Sequence, residues 1–399
     1  MKLSVKSCSA AMLLLWGLAG CASNDEDVLV LPDVDNKVAP ETVWSSSVGN
    51  GVAHFDSHLK PAIVGDKLFV ASREGLLTAF NLTDGTELWS IDVRDGADAP
   101  TFGAISHWWN ERNAKVAGGV GVGYDKIYLG TEDGEVIAFN PETGERVWSA
   151  QVGGEVLTAP VAGEGFVLVN TGGGRLYALQ PDTGEQRWMH ESENSLLTLR
   201  GISEVTTAAG GIIYGTGSGK VGVLIADKGV PAWEEPIAVA KGSTDLARII
   251  DVDATPIVQN GTIYAIAYNG QLVSMELRTG RIIWKRDYAS FRTMTLVDGV
   301  IYLVDSTGKI YAVEASSGTE TWSQPVLHKH FVTGPAVYKN YVVVGDDEGN
   351  LHWFNRQTGE YMARHEYDGS GFFSEGLSSP DYLVVHSRNG EVEVLRVPE

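Results

Sequence analysis

The feature of this chain that most restricts its fold is a short pattern that returns along almost its whole length. "NPETGERVWS" (140–149) is followed by "QPDTGEQRWM" (180–189) and preceded by "NLTDGTELWS" (81–90). Each copy has a polar turn that ends in glycine, then a β-prone segment with a tryptophan four positions later. Seven copies align on the turn glycines Gly85, Gly144, Gly184, Gly229, Gly280, Gly318 and Gly359. The residues four positions later are Trp89, Trp148, Trp188, Trp233, Trp284, Trp322 and, in the last copy, Ala363.

Alternating apolar segments surround these turns and predict the rest of the repeat. One segment comes directly before each turn, as in "LYAL" (176–179), and a further one stands before it, as in "IYLG" (127–130). Each unit therefore contains four short strands, and the tryptophans recur every 38–59 residues. That period, together with β-branched and aromatic strands, predicts a β-propeller rather than a helical solenoid.

Two incomplete units at the ends of the chain set the number of blades. Residues 378–399 have three strand-like segments without a turn or tryptophan, whereas "ETVWSSS" (41–47) is a single outer strand with Trp44. We therefore expect residues 41–399 to form an all-β, eight-bladed propeller of four-stranded antiparallel blades, closed by the N-terminal strand in the last blade. The glycines supply positive φ at tight turns and the tryptophans pack between blades, so we assign no chemistry to either set.

The first 40 residues predict export and anchoring. Residues 1–20 have two lysines, an apolar run and small residues, which is the layout of a secretory signal peptide, and the run is too short for a permanent membrane span. "LAGC" (18–21) resembles a lipobox, so Cys21 is expected to carry a covalent N-acyl diacylglycerol group. Residues 21–40 are acidic and contain two prolines, which predicts a solvated tether. We expect residues 23–38 to add almost nothing to stability.

Charge and motif spacing exclude several other functions. The formal net charge of −21 opposes binding to nucleic acid and to anionic head groups, so the membrane is expected to be reached through the lipid alone. "GTGSGKVG" (215–222) lacks the hydroxyl residue of a phosphate-binding loop. "HKH" (328–330) and "DVD" (251–253) lack the additional ligands of a zinc or calcium site. We therefore predict no metal site, no noncovalent cofactor and no catalytic residue.

The repeat resembles the tryptophan-docking motif of the pyrroloquinoline-quinone (PQQ) propellers, Ala-x-Asp-x-x-Thr-Gly-x-x-x-Trp. The motif survives as "AFNPETGERVW" (138–148), "ALQPDTGEQRW" (178–188) and "AVEASSGTETW" (312–322). In the enzymes of that group the resemblance implies an adjacent cysteine pair beside the cofactor. Cys8 lies in the predicted signal and Cys21 at the predicted lipidated end, so this chain has no such pair. A PQQ-dependent dehydrogenase is therefore the alternative function rather than the expected one.

Three links between blades are longer than the others. The distance from the motif tryptophan to the next first strand is about 28 residues after Trp89, 18 after Trp188 and 22 after Trp233, against about ten elsewhere. Such links all leave a four-stranded blade on the same face, where long loops on a rigid scaffold often bind partners. The residue types in these three links are typical of the anchors of protein–protein interfaces. The first link contains Trp108 and Trp109, the second Leu196, Leu197, Leu199 and Arg200, and the third Ile249, Ile250, Asp251 and Asp253.

The lipobox, the acidic tether, the eight blades and the segments "LTLRG" (197–201) and "DVDATP" (251–256) together are similar to the BamB family of outer-membrane lipoproteins. The resemblance implies a non-enzymatic scaffold of the β-barrel assembly machinery that lies on the periplasmic side of the outer membrane and binds the POTRA domains of BamA. It assigns partner binding to Leu197, Leu199, Arg200, Asp251 and Asp253. A free periplasmic chaperone or sensor is a further alternative. The sequence leaves open whether unfolded outer-membrane proteins also bind, for example along the blade edges.

Overall fold

The computed structural model describes residues 30–55, 57–94, 113–193, 202–240, 243–244 and 248–398. Within these ranges it contains 32 strands in eight four-stranded antiparallel sheets, which are the blades of a propeller. The predicted fold class is therefore confirmed. In the described part of the chain no helix is both long and apolar enough to cross a bilayer.

Blades one to four follow one another along the chain, and each is numbered from its inner to its outer strand. They consist of β2 (Ala62–Val64), β3 (Lys67–Ala71), β4 (Leu76–Asn81) and β5 (Glu87–Asp92); β6 (Val116–Gly123), β7 (Lys126–Thr131), β8 (Glu135–Phe139) and β9 (Arg146–Gln151); β10 (Val161–Gly163), β11 (Phe166–Asn170), β12 (Arg175–Leu179) and β13 (Gln186–Glu191); and β14 (Thr206–Ala208), β15 (Gly211–Gly215), β16 (Lys220–Ile225) and β17 (Val230–Pro236).

Blades five to seven repeat this order, and blade eight combines both ends of the chain. They consist of β18 (Ile257–Gln259), β19 (Thr262–Ile266), β20 (Leu272–Glu276) and β21 (Ile282–Arg286); β22 (Thr295–Val297), β23 (Val300–Val304), β24 (Ile310–Glu314) and β25 (Glu320–Gln324); β26 (Ala336–Tyr338), β27 (Tyr341–Gly345), β28 (Asn350–Asn355) and β29 (Tyr361–Glu366); and β30 (Leu377–Ser378), β31 (Leu383–His386), β32 (Glu391–Arg396) and β1 (Glu41–Ser47).

Tryptophans on the outer strands join each blade to the next. The indole Nε1–H of Trp148, for example, donates to the carbonyl of Pro181 in the following blade, at 2.8 Å. Its ring lies against Gly184, where an added Cβ would come within 2.5 Å of the ring. The same hydrogen bond, at 2.8–3.1 Å, occurs at seven junctions, from Trp44, Trp89, Trp148, Trp188, Trp233, Trp284 and Trp322. The turn glycines have φ of 65–73°, so they allow both the turn and the close approach of the ring.

The N-terminal strand closes the ring as predicted. β1 pairs antiparallel with β32, from Glu41 opposite Arg396 to Ser47 opposite Glu391. Trp44 then docks on blade one, because its Nε1–H donates to the Leu82 carbonyl and its ring packs against Phe80 at 5.5 Å. The eighth blade thus reaches the first through a residue from the opposite end of the sequence.

The junction between blades seven and eight is built differently, and we call it the seam. In the seven other blades the tryptophan stands on the fourth strand, but in blade seven Trp353 stands on the third, opposite Ala363. Trp353 is fully buried and belongs to a core cluster that includes Val38, Leu395 and Val397. The seam is therefore held by residues that come from both chain ends.

Residues just before β1 complete the seam. Lys37 N–H donates to the Met362 carbonyl at 2.9 Å, and Arg364 N–H donates to the Asn36 side chain at 2.9 Å. Val38 is 2% exposed, and its carbonyl lies 2.7 Å from a ring nitrogen of His365. The prediction of a solvated tether over residues 21–40 is therefore wrong for residues 36–38, and we expect these three residues to contribute to stability. They pack along the outer strand of blade seven, where no tryptophan is available.

Candidate functional site

One face of the ring carries every link from an outer strand to the next inner strand, because all blades have the same strand direction. We call it the loop face. At its centre is a cavity of about 320 Å³, lined by residues from all eight blades or the links that join them. Many of these residues stand two positions before an inner strand, such as Lys60 before β2, Thr255 before β18 and Thr293 before β22. We call this space the central cavity.

Three charged side chains meet across the central cavity. The Lys60 ammonium lies 2.9 Å from a Glu375 carboxylate oxygen and 3.6 Å from one of Glu204, and each side chain is only 21–24% exposed. Burial alone would lower the pKa of Lys60, but the two carboxylates outweigh it and hold that pKa above its usual value. Burial would raise the pKa of Glu375, but Lys60 outweighs it and holds that pKa below its usual value. The triad ties blades one, four and eight together.

Aromatic rings form another wall of the central cavity, between blades five and eight. Tyr268 and Phe291 make an edge-to-face pair at 6.0 Å, and Phe331 and Phe373 make a second at 5.8 Å. The Arg292 guanidinium lies between the pairs, 4.5 Å from the Phe291 ring centre and 5.4 Å from that of Phe331. It also donates to the carbonyls of Val332 and Asp305, and burial lowers its pKa to about 10. We call these rings and Arg292 the aromatic wall.

The predicted acidic pair lies beside the central cavity. Asp251 is fully buried, and its carbonyl accepts a hydrogen bond from Tyr268 N–H at 2.8 Å. Asp253 is half-buried and lines the central cavity. Burial raises its pKa to about 8, and the charge of Asp251 adds to the effect. Between pH 4 and 8 the folded protein therefore holds this proton more firmly than the unfolded chain, so this group makes stability fall as pH rises through that interval.

The same acidic segment meets both ends of the link between blades three and four. Ser192, Ile202 and Ser203 line a small pocket of about 20 Å³ together with Asp251 and Asp253. Ser203 Oγ–H donates to the Glu204 carbonyl at 2.8 Å and lies 3.4 Å from the Ala254 carbonyl, and the Ser203 carbonyl accepts from the Asn170 side chain at 2.9 Å. The residues that flank 194–201 are thus held against 251–254.

The other predicted site residues are only partly located. Leu197, Leu199 and Arg200 lie outside the described residues, as do Cys21, Trp108 and Trp109, so their roles stay predictions. His328 is partly exposed, and a ring nitrogen lies 3.1 Å from the Thr307 hydroxyl. Over the described ranges no group of three or more His, Cys, Asp or Glu side chains is arranged to hold a metal ion.

The triad was missed from the sequence, although a signal for it exists. The position two residues before an inner strand is Ala159, Thr255, Thr293 or Gly334 in four blades, but Lys60, Glu204 and Glu375 in three others. A charge that is buried near the axis of the ring needs a counter-charge, which must come from another blade. Aligning this position around the ring would have indicated the triad.

We expect Lys60→Met to destabilise the protein in a pH-dependent way. Without the ammonium, Glu204 and Glu375 are left together in a partly buried place, which should cost about 3 kcal/mol at pH 7.5. Near pH 4 the two carboxyls take up protons in the variant, so the difference from wild type should shrink. Thermal unfolding at both pH values measures this. Lys115→Met, which removes an exposed ion pair with Asp133, is the control and should change little at either pH. Equal unfolding of Lys60→Met and wild type at pH 7.5 would contradict a stabilising triad.

Tryptophan-docked blades around an axial cavity define the class of protein: an eight-bladed propeller of the PQQ type with its longest links on one face. A family model described as "Outer membrane protein assembly factor BamB" matches residues 33–106, 102–324 and 306–392. The chain belongs to that family.

Individual relatives agree with this assignment. The chain is 39% identical over 405 residues to outer membrane protein assembly factor BamB of Shewanella oneidensis, and the match covers 100% of both chains. The crystal structure of BamB from Moraxella catarrhalis superposes with a TM-score of 0.77 at 23% identity, over 90% of this chain and 100% of that one. A quinohemoprotein alcohol dehydrogenase from Comamonas testosteroni has a TM-score of 0.67 at 15% identity, over 94% of this chain and 80% of that one. At that identity the likeness concerns the fold alone.

Proposed function

We propose that this protein is a non-enzymatic scaffold of the outer-membrane β-barrel assembly machinery, which binds the POTRA domains of BamA through its loop face. Relatives named outer membrane protein assembly factor BamB match 94–100% of the chain. The protein is anchored to the outer membrane by lipid on Cys21, with the propeller in the periplasm. Its partners are folded and unfolded proteins rather than a small substrate.

The observation that supports the proposal is that the residues on either side of one predicted docking segment, 194–201, lie against the other, Asp251 and Asp253. Segment 194–201 contains Leu197, Leu199 and Arg200. Leucines give a partner apolar contact, and arginine can bind a carboxylate through two hydrogen bonds. Apolar and arginine anchors that lie close together are typical of the centre of a protein–protein interface.

Substitution of the anchors tests the proposal. We expect Leu197→Ala and Arg200→Ala to weaken binding of purified full-length BamA in detergent by roughly thirtyfold, because removal of such an anchor costs about 2 kcal/mol or more. The melting temperature should stay within a degree or two. Binding is measured by calorimetry or by an optical biosensor, and unfolding by circular dichroism.

Two exposed residues outside the loop face serve as matched controls. Leu88 on β5 is 44% exposed and Arg187 on β13 is also exposed. Leu88→Ala and Arg187→Ala should bind BamA like wild type. If Leu197→Ala and Arg200→Ala bind equally well, the docking surface lies elsewhere on the ring. If wild type itself fails to bind BamA, the scaffold proposal is wrong.

A further inference from the structure

The central cavity has features of a binding site that the scaffold proposal does not use. Its four rings are Tyr268, Phe291, Phe331 and Phe373, and none of them is fully buried. Phe331 keeps 40% of its surface exposed. By contrast, Phe69, Phe80, Phe139 and Phe354 are at most 2% exposed. The aromatic wall thus presents apolar surface to an open space, which in soluble proteins commonly marks a contact site.

The opposite wall leaves room for an occupant. It is made of Ala117, Gly118, Leu157, Thr158 and Ile202, which are small or aliphatic. The cavity of about 320 Å³ therefore lies between flat rings on one side and short side chains on the other. A bulky apolar group fits such a space better than a chain of polar groups.

The charges that line the central cavity are already compensated. Lys60 pairs with Glu204 and Glu375, and Arg292 donates to two backbone carbonyls between two rings. Asp253 is mainly protonated at neutral pH, because burial raises its pKa to about 8. The occupant therefore needs no net charge. Among the described residues of this lining, Ser57 is 95% buried and its hydroxyl makes no hydrogen bond, so it can serve an indole N–H or a phenol.

The position of the central cavity favours a side chain of a protein partner over a separate ligand. Asp253, Ile202 and Glu204 line it, and these residues border or belong to the proposed docking segments. A partner seated on those segments would lie at the edge of the opening. Closing an apolar space without filling it leaves a void that weakens the complex, whereas filling it gives a buried anchor surrounded by neutral contacts.

We propose that the central cavity receives a bulky, uncharged side chain, preferably aromatic, that projects from the folded partner docked on the loop face. The inference rests on the proposed scaffold function and adds to it a second anchor at the ring axis. The side chain stacks on the aromatic wall, and its polar edge bonds to Ser57. Binding then depends on two places: the docking segments and the cavity.

Two substitutions test the cavity in opposite ways. Phe331→Ser removes an exposed ring from the aromatic wall, and Thr255→Trp places an indole in the space from the lining of blade five. Both should leave the melting temperature nearly unchanged and weaken binding of full-length BamA in detergent at least tenfold. Phe55→Ser is the matched control, because Phe55 is 46% exposed and does not line the cavity. It should change affinity less than twofold.

The outcomes separate this inference from the proposed function. If Arg200→Ala weakens BamA binding while both cavity variants bind like wild type, the partner docks without entering the cavity and the inference is overturned. If the cavity variants weaken binding and Arg200→Ala does not, the inference stands and the docking segment is misassigned. Native mass spectrometry tests for a separate ligand. A small molecule that wild type retains and Thr255→Trp loses would overturn the inference, because the cavity would then bind that ligand. A dimer of wild type that Phe331→Ser abolishes would overturn it in favour of a second copy.

Discussion

Deletion of residues 22–48 is expected to destabilise the propeller by at least about 5 kcal/mol and to make it aggregate. The deletion removes β1 and with it the docking of Trp44 on blade one. Loss of a large packed aromatic side chain alone costs about 3–5 kcal/mol. The antiparallel pairing with β32 is lost in addition, so a strand edge becomes free to pair with other molecules. Thermal unfolding and sedimentation of the truncated protein measure both effects.

A shorter deletion separates the seam from the strand. Removal of residues 23–38 keeps β1 but removes Asn36–Val38 from the outer strand of blade seven. It should lower the melting temperature by less than the longer deletion, yet measurably. Removal of 23–29 alone, which precedes these contacts, is the control and should be neutral. A peptide of residues 36–48 added to the longest deletion should restore part of the stability. If the 22–48 deletion melts like wild type, the ring closes without its N-terminal strand.

Gly184→Ala is expected to cost about 3 kcal/mol, much more than an alanine at most turns. Gly184 has φ of 72°, which by itself costs an L-residue about 1–2 kcal/mol. The new methyl group would also lie about 2.5 Å from the Trp148 ring, so the ring must move and its hydrogen bond to Pro181 weakens. Overpacking of this kind adds about 1–3 kcal/mol. Chemical denaturation gives the free energy of unfolding.

Blade three offers a matched control for backbone strain. Gly165 has φ of 84°, but an added Cβ there meets no atom within 4 Å. Gly165→Ala should therefore cost only the strain, about 1 kcal/mol. In addition, Trp148→Phe should be less harmful in the Gly184→Ala background than in wild type, because the two residues touch and their effects do not add. Equal losses for Gly184→Ala and Gly165→Ala would mean that the ring does not depend on this contact.

The fold was largely predictable because its signals are local and repeated. A glycine four residues before a tryptophan marks a turn and an outer strand in each copy, and the positive φ at all seven glycines confirms that interpretation. The two incomplete ends also predicted the closure correctly, since β1 completes blade eight. By contrast, Ala363 looked like a simple break in the series. The sequence alone does not reveal that Trp353, on the third strand of blade seven, replaces the tryptophan that is missing at position 363 of the fourth strand. The two positions are neighbours only because of the cross-strand register.

The candidate site was less predictable because it depends on what the ring brings together. Lys60 and Glu375 are 315 positions apart in the chain but 2.9 Å apart in space. Spacing rules apply within a blade and cannot indicate such a contact. Asp251 and Asp253 were singled out because they belong to a long link and to a segment that resembles the family, but the burial of Asp251 could not be foreseen from the sequence. Their role in partner binding stays a prediction. The roles of Leu197, Leu199, Arg200 and Cys21 remain predictions.

The construction of the seam has a mechanical consequence. At seven junctions a tryptophan on the outer strand of one blade contacts the next blade. The eighth junction, the seam, is instead stabilised by Asn36–Val38 and by strands from both chain ends. Among the described residues, a pull on the N-terminus therefore reaches the ring first at Leu31, which packs against the core between blades six and seven, and then at Asn36–Val38 on blade seven. The applied force must break these contacts before it acts on β1 and Trp44. Removal of β1 would open the ring. The segment before β1 thus joins the propeller at the seam, and its contacts there bear an applied force before β1 and Trp44 do.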